Sequence, residues 1–125
     1  FKIYQHSLQA PVPEAGSFDV ASANRGKLLF DGKASCSACH SGENFTDDKR
    51  HSPEQTGCDP GYAQRGSHIG SYRTTPLKGV GSHAPYFHDG AHASLEALVE
   101  HYDTVLSTGL SATEKMDLVQ YLKSI

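Results

Sequence analysis

Cys36-Ser37-Ala38-Cys39-His40 is the stretch of this sequence that decides the fold. Two cysteines three positions apart lie on the same side of a helical turn. Both thiols can there add to the two vinyl groups along one edge of a porphyrin. The adjacent His40 can turn its imidazole to the iron, and this order of residues is the attachment signature of a c-type haem. The sequence therefore predicts one covalently bound haem c, held by Cys36, Cys39 and His40, with His40 as the proximal iron ligand.

Two other uses of paired cysteines fit this sequence less well. A zinc site would need two further ligands at a second paired spacing, and Cys58 with His51 offers only a loose imitation of one. A thioredoxin-like redox pair would need a βαβ context, which the surrounding sequence does not show. Cys58 is left over from the motif, and we expect an unpaired thiol, with a disulfide between chains as the alternative.

Length and charge indicate one domain and exclude several classes of partner. At 125 residues the chain is large enough for one hydrophobic core. A net charge of −3 without a basic run gives no electrostatic footprint for nucleic acid. No apolar stretch approaches the roughly 18 residues of a membrane-spanning helix, and no charged leader precedes one. Because haem thioethers form outside the energy-conserving membrane, we expect a mature periplasmic or extracellular protein that works with redox partner proteins.

Three segments have the period and the capping residues of amphipathic helices. The first runs from about Asp19 to Phe30, with Asp19 or Ser22 as N-cap. The second begins at Ser94, and the third begins with the capping box of Ser111 and Glu114. In the first helix we expect one broad apolar face, made by Val20, Leu28, Leu29 and Phe30.

The remaining sequence predicts an arm, a long loop and no strand. Residues 1–18 have no helical period and form an arm or linker, through which His6 could reach a neighbouring subunit. Residues 41–76 are polar and interrupted by glycine and proline, and a loop this long in a small domain is usually folded around something. Residues 19–125 are then an all-α, cytochrome c-like domain of three main helices and a long loop around the haem.

Four segments in order resemble the C-terminal haem domain of bacterial di-haem cytochrome c peroxidases and the related methylamine-dehydrogenase-maturation enzyme. They are SGENFTD at 41–47, YRTTPLKGV at 72–80, APYFHDG at 84–90 and SLEALV at 94–99. The resemblance covers about residues 24–125. Members of that family carry two haems on two domains, whereas this chain has one attachment motif. The resemblance therefore implies an electron-transferring half, which either acts alone or meets a partner haem chain.

The resemblance also implies where the sixth iron ligand lies. In this family it is carried by the helix after the His-Asp-Gly segment, and the matching residue here is Tyr102. A register error of one residue would exchange Tyr102 for His101, and His88 is a further alternative. Met116, the one methionine, lies near the face of Val119 and is expected to pack in the core rather than to bind iron.

The matched segments supply three further cofactor contacts. We expect Arg73 to pair with a haem propionate, because guanidinium binds carboxylate in a two-pronged fashion; Arg65 and Lys78 are alternatives. Phe87 and His88 are expected beside the haem.

The sequence favours electron transfer over two other functions. A peroxidase-like oxidoreductase, alone or as one subunit of a di-haem assembly, would need an open site and a distal acid or base. His88 and Glu100 are the candidates for that role. A sensing or polymerising role would depend on the arm and Cys58. We expect the haem to cycle between its ferric and ferrous states, with two strong protein ligands that keep other molecules from the iron.

Overall fold

The computed structural model describes Tyr4, residues 9–61 and residues 70–125. His6 and Arg65 lie outside the described residues, so the expectations for them stay predictions. In chain order the elements are α1 (Val20–Asp31), β1 (Arg50–His51), α2 (Pro53–Thr56), β2 (Tyr72–Arg73), α3 (Leu95–Leu106) and α4 (Ala112–Lys123). The chain is mainly helical with little sheet, which agrees with the expected fold class.

The prediction that the chain holds no strand was wrong. Strands β1 and β2 pair antiparallel, with Arg50 opposite Arg73 and His51 opposite Tyr72. Each strand is two residues long, so neither offers the alternation of apolar and polar residues by which a strand is recognised in a sequence. The short helix α2 inside the long loop was not predicted either.

The predicted helix starts are confirmed by their caps. The Asp19 carboxylate accepts the N–H of Ser22 at 2.6 Å, and Ser94 caps α3 in the same way. At α4 the Ser111 hydroxyl accepts the N–H of Glu114 at 3.2 Å while the Glu114 carboxylate accepts the N–H of Ser111 at 2.7 Å. Each cap satisfies N–H groups that have no partner inside the helix.

Helices α1 and α4 cross at Gly26, where their backbones come into direct contact. A Cβ at this position would overlap the carbonyl oxygen of Asp117 and lie 2.8 Å from the Cβ of Tyr121. The crossing therefore needs a residue without a side chain.

A buried carboxylate stabilises the same crossing. Asp117 is 5% exposed and accepts the Ser22 hydroxyl at 2.5 Å. It also accepts Nε and Nη2 of Arg25 at 2.8 and 2.7 Å, the two-pronged geometry that guanidinium favours. These hydrogen bonds fix the rotation of α4 relative to α1.

The expected apolar face of α1 was wrong in part, because the helix meets α4 through small residues. Phe30 is 1% exposed, but Val20 and Leu28 are 63% and 73% exposed. The surface that α1 buries is made by Ser22, Ala23, Gly26 and Phe30. Met116 is 59% exposed, so its expected place in the core is also wrong; α4 buries the opposite side, through Leu118, Tyr121 and Leu122.

In the described part of the chain, no helix combines the length and the apolar character needed to cross a membrane. The apolar core joins α1, α3 and α4, with Phe30 in edge contact with Tyr121 at 5.2 Å between ring centroids.

Replacing Gly26 by alanine should destabilise the protein by about 1–3 kcal/mol, the usual cost of overpacking. The better helix propensity of alanine offsets only part of that loss. Chemical denaturation measures the difference. Asn24→Ala, on the exposed side of α1, is the matched control and should be neutral or slightly stabilising; equal stability of the two variants would contradict the crossing.

Replacing Asp117 by asparagine should lower the melting temperature at neutral pH. Hydrogen bonds from Arg25 and Ser22 hold the pKa of Asp117 below its usual range. The ionised carboxylate therefore stabilises the fold above the unfolded pKa of about 3.9, and this contribution is lost as the pH falls through the lowered folded pKa. Melting curves of the two proteins should converge in acid. Asp31→Asn, at the exposed Lys27–Asp31 pair, should change stability little, and a constant difference between wild type and D117N across the pH range would contradict the role of charge.

Candidate haem-binding site

The attachment motif forms a tight turn directly after α1. Ser35 adopts a left-handed conformation with φ of 55°, and a single 3₁₀ turn covers Cys36–Ala38. The carbonyl of Cys36 accepts the N–H of Cys39 at 3.2 Å and the N–H of His40 at 2.9 Å. The two thiols and the imidazole are therefore presented by five consecutive residues at the end of a helix that is fixed against α4.

His40 is oriented by the loop that follows it. Its Nδ1–H donates to the carbonyl of Phe45 at 3.0 Å, and the backbone of Thr75 is a second hydrogen-bond partner of the imidazole. Two backbone hydrogen bonds hold this loop. The N–H of Thr46 donates to the carbonyl of Ser41 at 2.8 Å, and the N–H of Asp47 donates to the carbonyl of Cys39 at 2.9 Å. Burial lowers the pKa of His40, which favours the neutral imidazole that binds metals.

An apolar cavity, part of it open to solvent, lies beside this turn. Cys36, His40 and Tyr102 of α3 all line this cavity. Burial raises the pKa of the Cys36 thiol to about 11. The apolar lining comes from all three long helices and the loop, with Phe30, Leu77, Leu98, Val99, Leu118 and Leu122 as its main members.

Tyr102 is the one of the four candidate sixth ligands that the structure places on the cavity wall. Burial raises the pKa of its hydroxyl well above its usual value, and negative charge on Cys58, Cys36 or Cys39 would raise it further. A nearby metal cation reverses this trend, because it favours the deprotonated oxygen.

The other three candidates lie elsewhere. His101 is turned away from the cavity, and its Nε2 lies 2.9 Å from the carbonyl of Thr56. His88 stacks on Tyr72 with 4.9 Å between ring centroids, and Met116 is exposed. Of the candidate ligands, His40 and Tyr102 are the two that share the cavity.

Phe87 and Arg73 are not among the residues that line the cavity. The Phe87 ring meets the edge of Tyr102 at 5.8 Å and 88°, so it supports the side chain that faces the cavity. Arg73 is half-exposed and pairs with Asp48 at 3.3 Å. Its role towards a propionate stays a prediction.

Cys39 points to a different group of side chains. Its Sγ lies with a carboxylate oxygen of Asp47 and a nitrogen of His51, all within 4.8 Å of one another. This is the one such group of three potential metal ligands among residues 9–61 and 70–125, and Cys58 is not part of it. Haem attachment through Cys39 would remove this thiol from the group, which would then have two potential metal ligands left.

These residues fit a c-type haem. All three cysteines are free thiols, the cavity is lined mainly by apolar side chains, and His40 lies on its wall with one ring nitrogen fixed by the Phe45 carbonyl. Cys36 already faces the cavity, whereas Cys39 has to turn from Asp47 and His51 to form the second thioether.

Sequence reasoning missed two groups that shape this site. One is the carbonyl of Phe45, a backbone atom that no residue pattern reveals. The other is Asp103, which accepts Thr108 Oγ1 at 2.6 Å, the N–H of Leu110 at 2.9 Å and Lys115 Nζ at 2.7 Å. Asp103 thereby fixes the turn between α3 and α4 at the edge of the cavity. Its position next to Tyr102 was the available signal.

The chain is similar to several proteins of known name. It is 34% identical to the methylamine utilization protein MauG of Methylorubrum extorquens over 84% of this chain and 35% of that protein. Identity to MauG of Methylophilus methylotrophus is 30%, over 83% of this chain and 36% of that protein. Identity to the cytochrome-c peroxidase IdrP1 of a Pseudomonas species is 28%, over 83% of this chain and 40% of that protein. No family model matches the chain.

A solved structure shares the fold. The crystal structure of a MauG-like protein associated with microbial copper homeostasis superposes with a TM-score of 0.64 at 22% identity, over 97% of this chain and 50% of that one. The chain thus spans little more than a third of the length of the curated relatives and half that of the solved neighbour.

Removing the attachment cysteines should remove the covalent haem. We expect the intact mass under denaturing conditions to show one haem on the wild type and none on the double variant Cys36→Ala/Cys39→Ala. Cys58→Ala is the matched control and should keep its haem. Haem retained by the double variant, or lost from C58A, would contradict the assignment.

Proposed function

We propose that this chain, which resembles the di-haem cytochrome c peroxidase family, is a periplasmic or extracellular electron-transfer domain with one covalent haem c between His40 and Tyr102. The observation that carries the proposal is the placement of His40 and Tyr102 on the wall of one apolar cavity. With a haem bound, His40 and Tyr102 would be its two protein ligands and would keep substrates from the iron. The haem, when bound, supplies a one-electron change between ferric and ferrous states.

The residues of the chain have separate tasks in this proposal. Cys36 and Cys39 would hold the haem covalently, and the Phe45 carbonyl would orient the His40 imidazole towards it. The apolar lining excludes water, which lowers the local dielectric constant and strengthens electrostatic control of the potential. Tyr102, as a tyrosinate, favours ferric iron and lowers the potential. Arg73 is our proposed partner for a propionate.

The domain division and partners belong to the same proposal. Residues 19–125 form the haem domain, and residues 1–18 form an arm through which a redox partner, a second copy or a partner haem chain could dock. The relatives named cytochrome-c peroxidase favour a second candidate, in which this chain is the electron-transferring part of a di-haem peroxidase-type assembly.

Catalysis of peroxide reduction within this chain alone is less well supported. The two groups considered as a distal acid or base lie outside the cavity lining. His88 stacks on Tyr72, and Glu100 is paired with Lys115 at 2.7 Å on the surface. A general acid or base must reach the reacting atom directly or through one water, and neither residue lines the cavity in which a haem would bind.

Replacing Tyr102 by phenylalanine should remove the sixth ligand. We expect the ferric optical and EPR spectra to change from low spin to largely high spin and the reduction potential to rise, because the oxygen donor that stabilises ferric iron is lost. Met116→Leu, at an exposed methionine, is the control and should keep both properties. An unchanged spectrum in Y102F would contradict ligation by Tyr102.

Hydrogen peroxide separates the electron carrier from the enzyme. We expect the reduced holoprotein to pass electrons rapidly to an artificial acceptor and to show no saturable turnover with peroxide. Turnover that appears only after a second haem chain is added would support the assembly. Saturable peroxide turnover by the chain alone would contradict the proposed electron-carrier function.

A further inference from the structure

We infer that His101 is a positioning residue: its contact with the end of α2 sets the rotation of α3, aims Tyr102 into the cavity and withholds the imidazole of His101 from the iron. The inference rests on the proposed ligation by Tyr102. It assigns a function to a side chain that the sequence offered only as a rival ligand.

The first contact is a hydrogen bond between α3 and the end of α2. The Nε2–H of His101 donates to the carbonyl of Thr56 at 2.9 Å. Thr56 is the last residue of α2, and the next N–H, that of Gly57, closes the helix on the carbonyl of Pro53 at 2.7 Å. The acceptor is therefore the carbonyl of the last residue of a short helix, whose end is closed by its own backbone hydrogen bond.

The second contact is a close approach that only glycine allows. Gly57 has a φ of 68°, and a Cβ there would lie 2.7 Å from Cε1 and Nε2 of His101 and 2.7 Å from Cγ2 of Val105. His101 and Val105 are one turn apart on α3. Because Gly57 has no side chain, α3 can lie directly against the loop. The imidazole of His101 then packs on the backbone of Gly57.

Two further rings close the other side of His101. Phe87 meets it edge-on at 4.9 Å and 77°, and His92 lies 4.7 Å away at 57°. Phe87 also contacts the edge of Tyr102 and has a φ of 68°, an uncommon conformation for a bulky side chain. His101 is thus held by a hydrogen bond on one side and by packed rings on the other.

Helix geometry makes the positions of His101 and Tyr102 mutually exclusive. With 3.6 residues per turn, neighbouring side chains point about 100° apart, so a rotation of α3 that brought His101 to the cavity would carry Tyr102 away from it. While the Thr56 carbonyl holds His101, Tyr102 faces the cavity. Loss of the hydrogen bond should therefore reduce the occupancy of Tyr102 on the iron.

Two variants of the holoprotein separate the hydrogen bond from the packing. His101→Phe keeps an aromatic ring over Gly57 but removes the donor, whereas His101→Gln keeps a side-chain N–H within reach of Thr56. A net hydrogen bond corresponds to roughly a 2- to 12-fold change in an equilibrium constant. We expect H101F to raise the ratio of high-spin to low-spin ferric protein by about that factor, and to shift the potential in the direction of Y102F, while H101Q stays close to wild type.

Thr104→Ala, at an exposed position of α3, is the matched control, since it alters the same helix without touching His101 or its hydrogen bond to Thr56. It should leave the spectrum unchanged. Covalent haem content and the far-ultraviolet circular dichroism spectrum check that each variant is loaded and folded. A loaded H101F with the wild-type spectrum and potential overturns the inference, as does an H101Q that behaves like H101F.

A measurement on the unaltered holoprotein decides the matter if H101F does not load haem. The Nε2 proton of His101 should be protected from solvent exchange in the NMR spectrum, because it is held by the Thr56 carbonyl. A freely exchanging proton overturns the inference.

The Y102F spectrum separates this failure from failure of the proposed function. If Y102F changes the spin state and H101F does not, Tyr102 is a ligand and only the positioning role is lost. If Y102F changes nothing, the ligation and the positioning role fail together.

Discussion

The crossing of α1 and α4 at Gly26 is the contact on which the rest of the structure depends. It brings the two backbones together, and the buried Asp117 carboxylate, bonded to Ser22 and Arg25, fixes their rotation. The attachment turn follows α1 within five residues of its end at Asp31. Because the crossing fixes α1 against α4, it also determines where Cys36 and His40 lie relative to α4.

The same crossing builds much of the cavity wall. Phe30 at the end of α1 and Leu118 and Leu122 of α4 all face the cavity, while Asp103 ties the start of α4 to α3. An apolar wall of this kind favours an apolar cofactor, because apolar surface is stabilised when it is removed from water. The haem proposal and the fold thus depend on one set of contacts.

Control of the two proposed iron ligands lies with backbone carbonyls of the long loop. Phe45 accepts Nδ1 of His40, and Thr56 lies at hydrogen-bond distance from Nε2 of His101. The first would fix the direction of the proximal nitrogen, and the second would fix the helix that carries Tyr102. Outer contacts of this kind commonly tune the affinity and potential of a metal site. They also give a physical reason for a loop whose sequence is polar and irregular.

What could be predicted from the sequence were the features that local chemistry determines. The caps at Asp19, Ser94 and Ser111 depend on neighbouring residues, and the structure confirms them. The predictions that were wrong concern features that depend on residues distant in sequence. Val20 and Leu28 looked like a core face until the crossing at Gly26 showed that α1 meets α4 through small residues.

The candidate site shows the same division between local and distant information. Cys36 and His40 were recognisable by spacing, and Tyr102 by resemblance alone. The separation of Tyr102 from its neighbour His101 required the contact with Thr56, which lies 45 residues away. The roles of Phe45 and Thr56 belong to backbone atoms, which a residue pattern does not report.

The most direct measurement of the central claim is the optical spectrum of the purified holoprotein, oxidised and then reduced, with and without carbon monoxide. Two protein ligands in an apolar cavity predict a low-spin spectrum that carbon monoxide leaves unchanged. A high-spin ferric spectrum, or rapid formation of a carbon monoxide complex on reduction, would show an accessible iron and contradict the account.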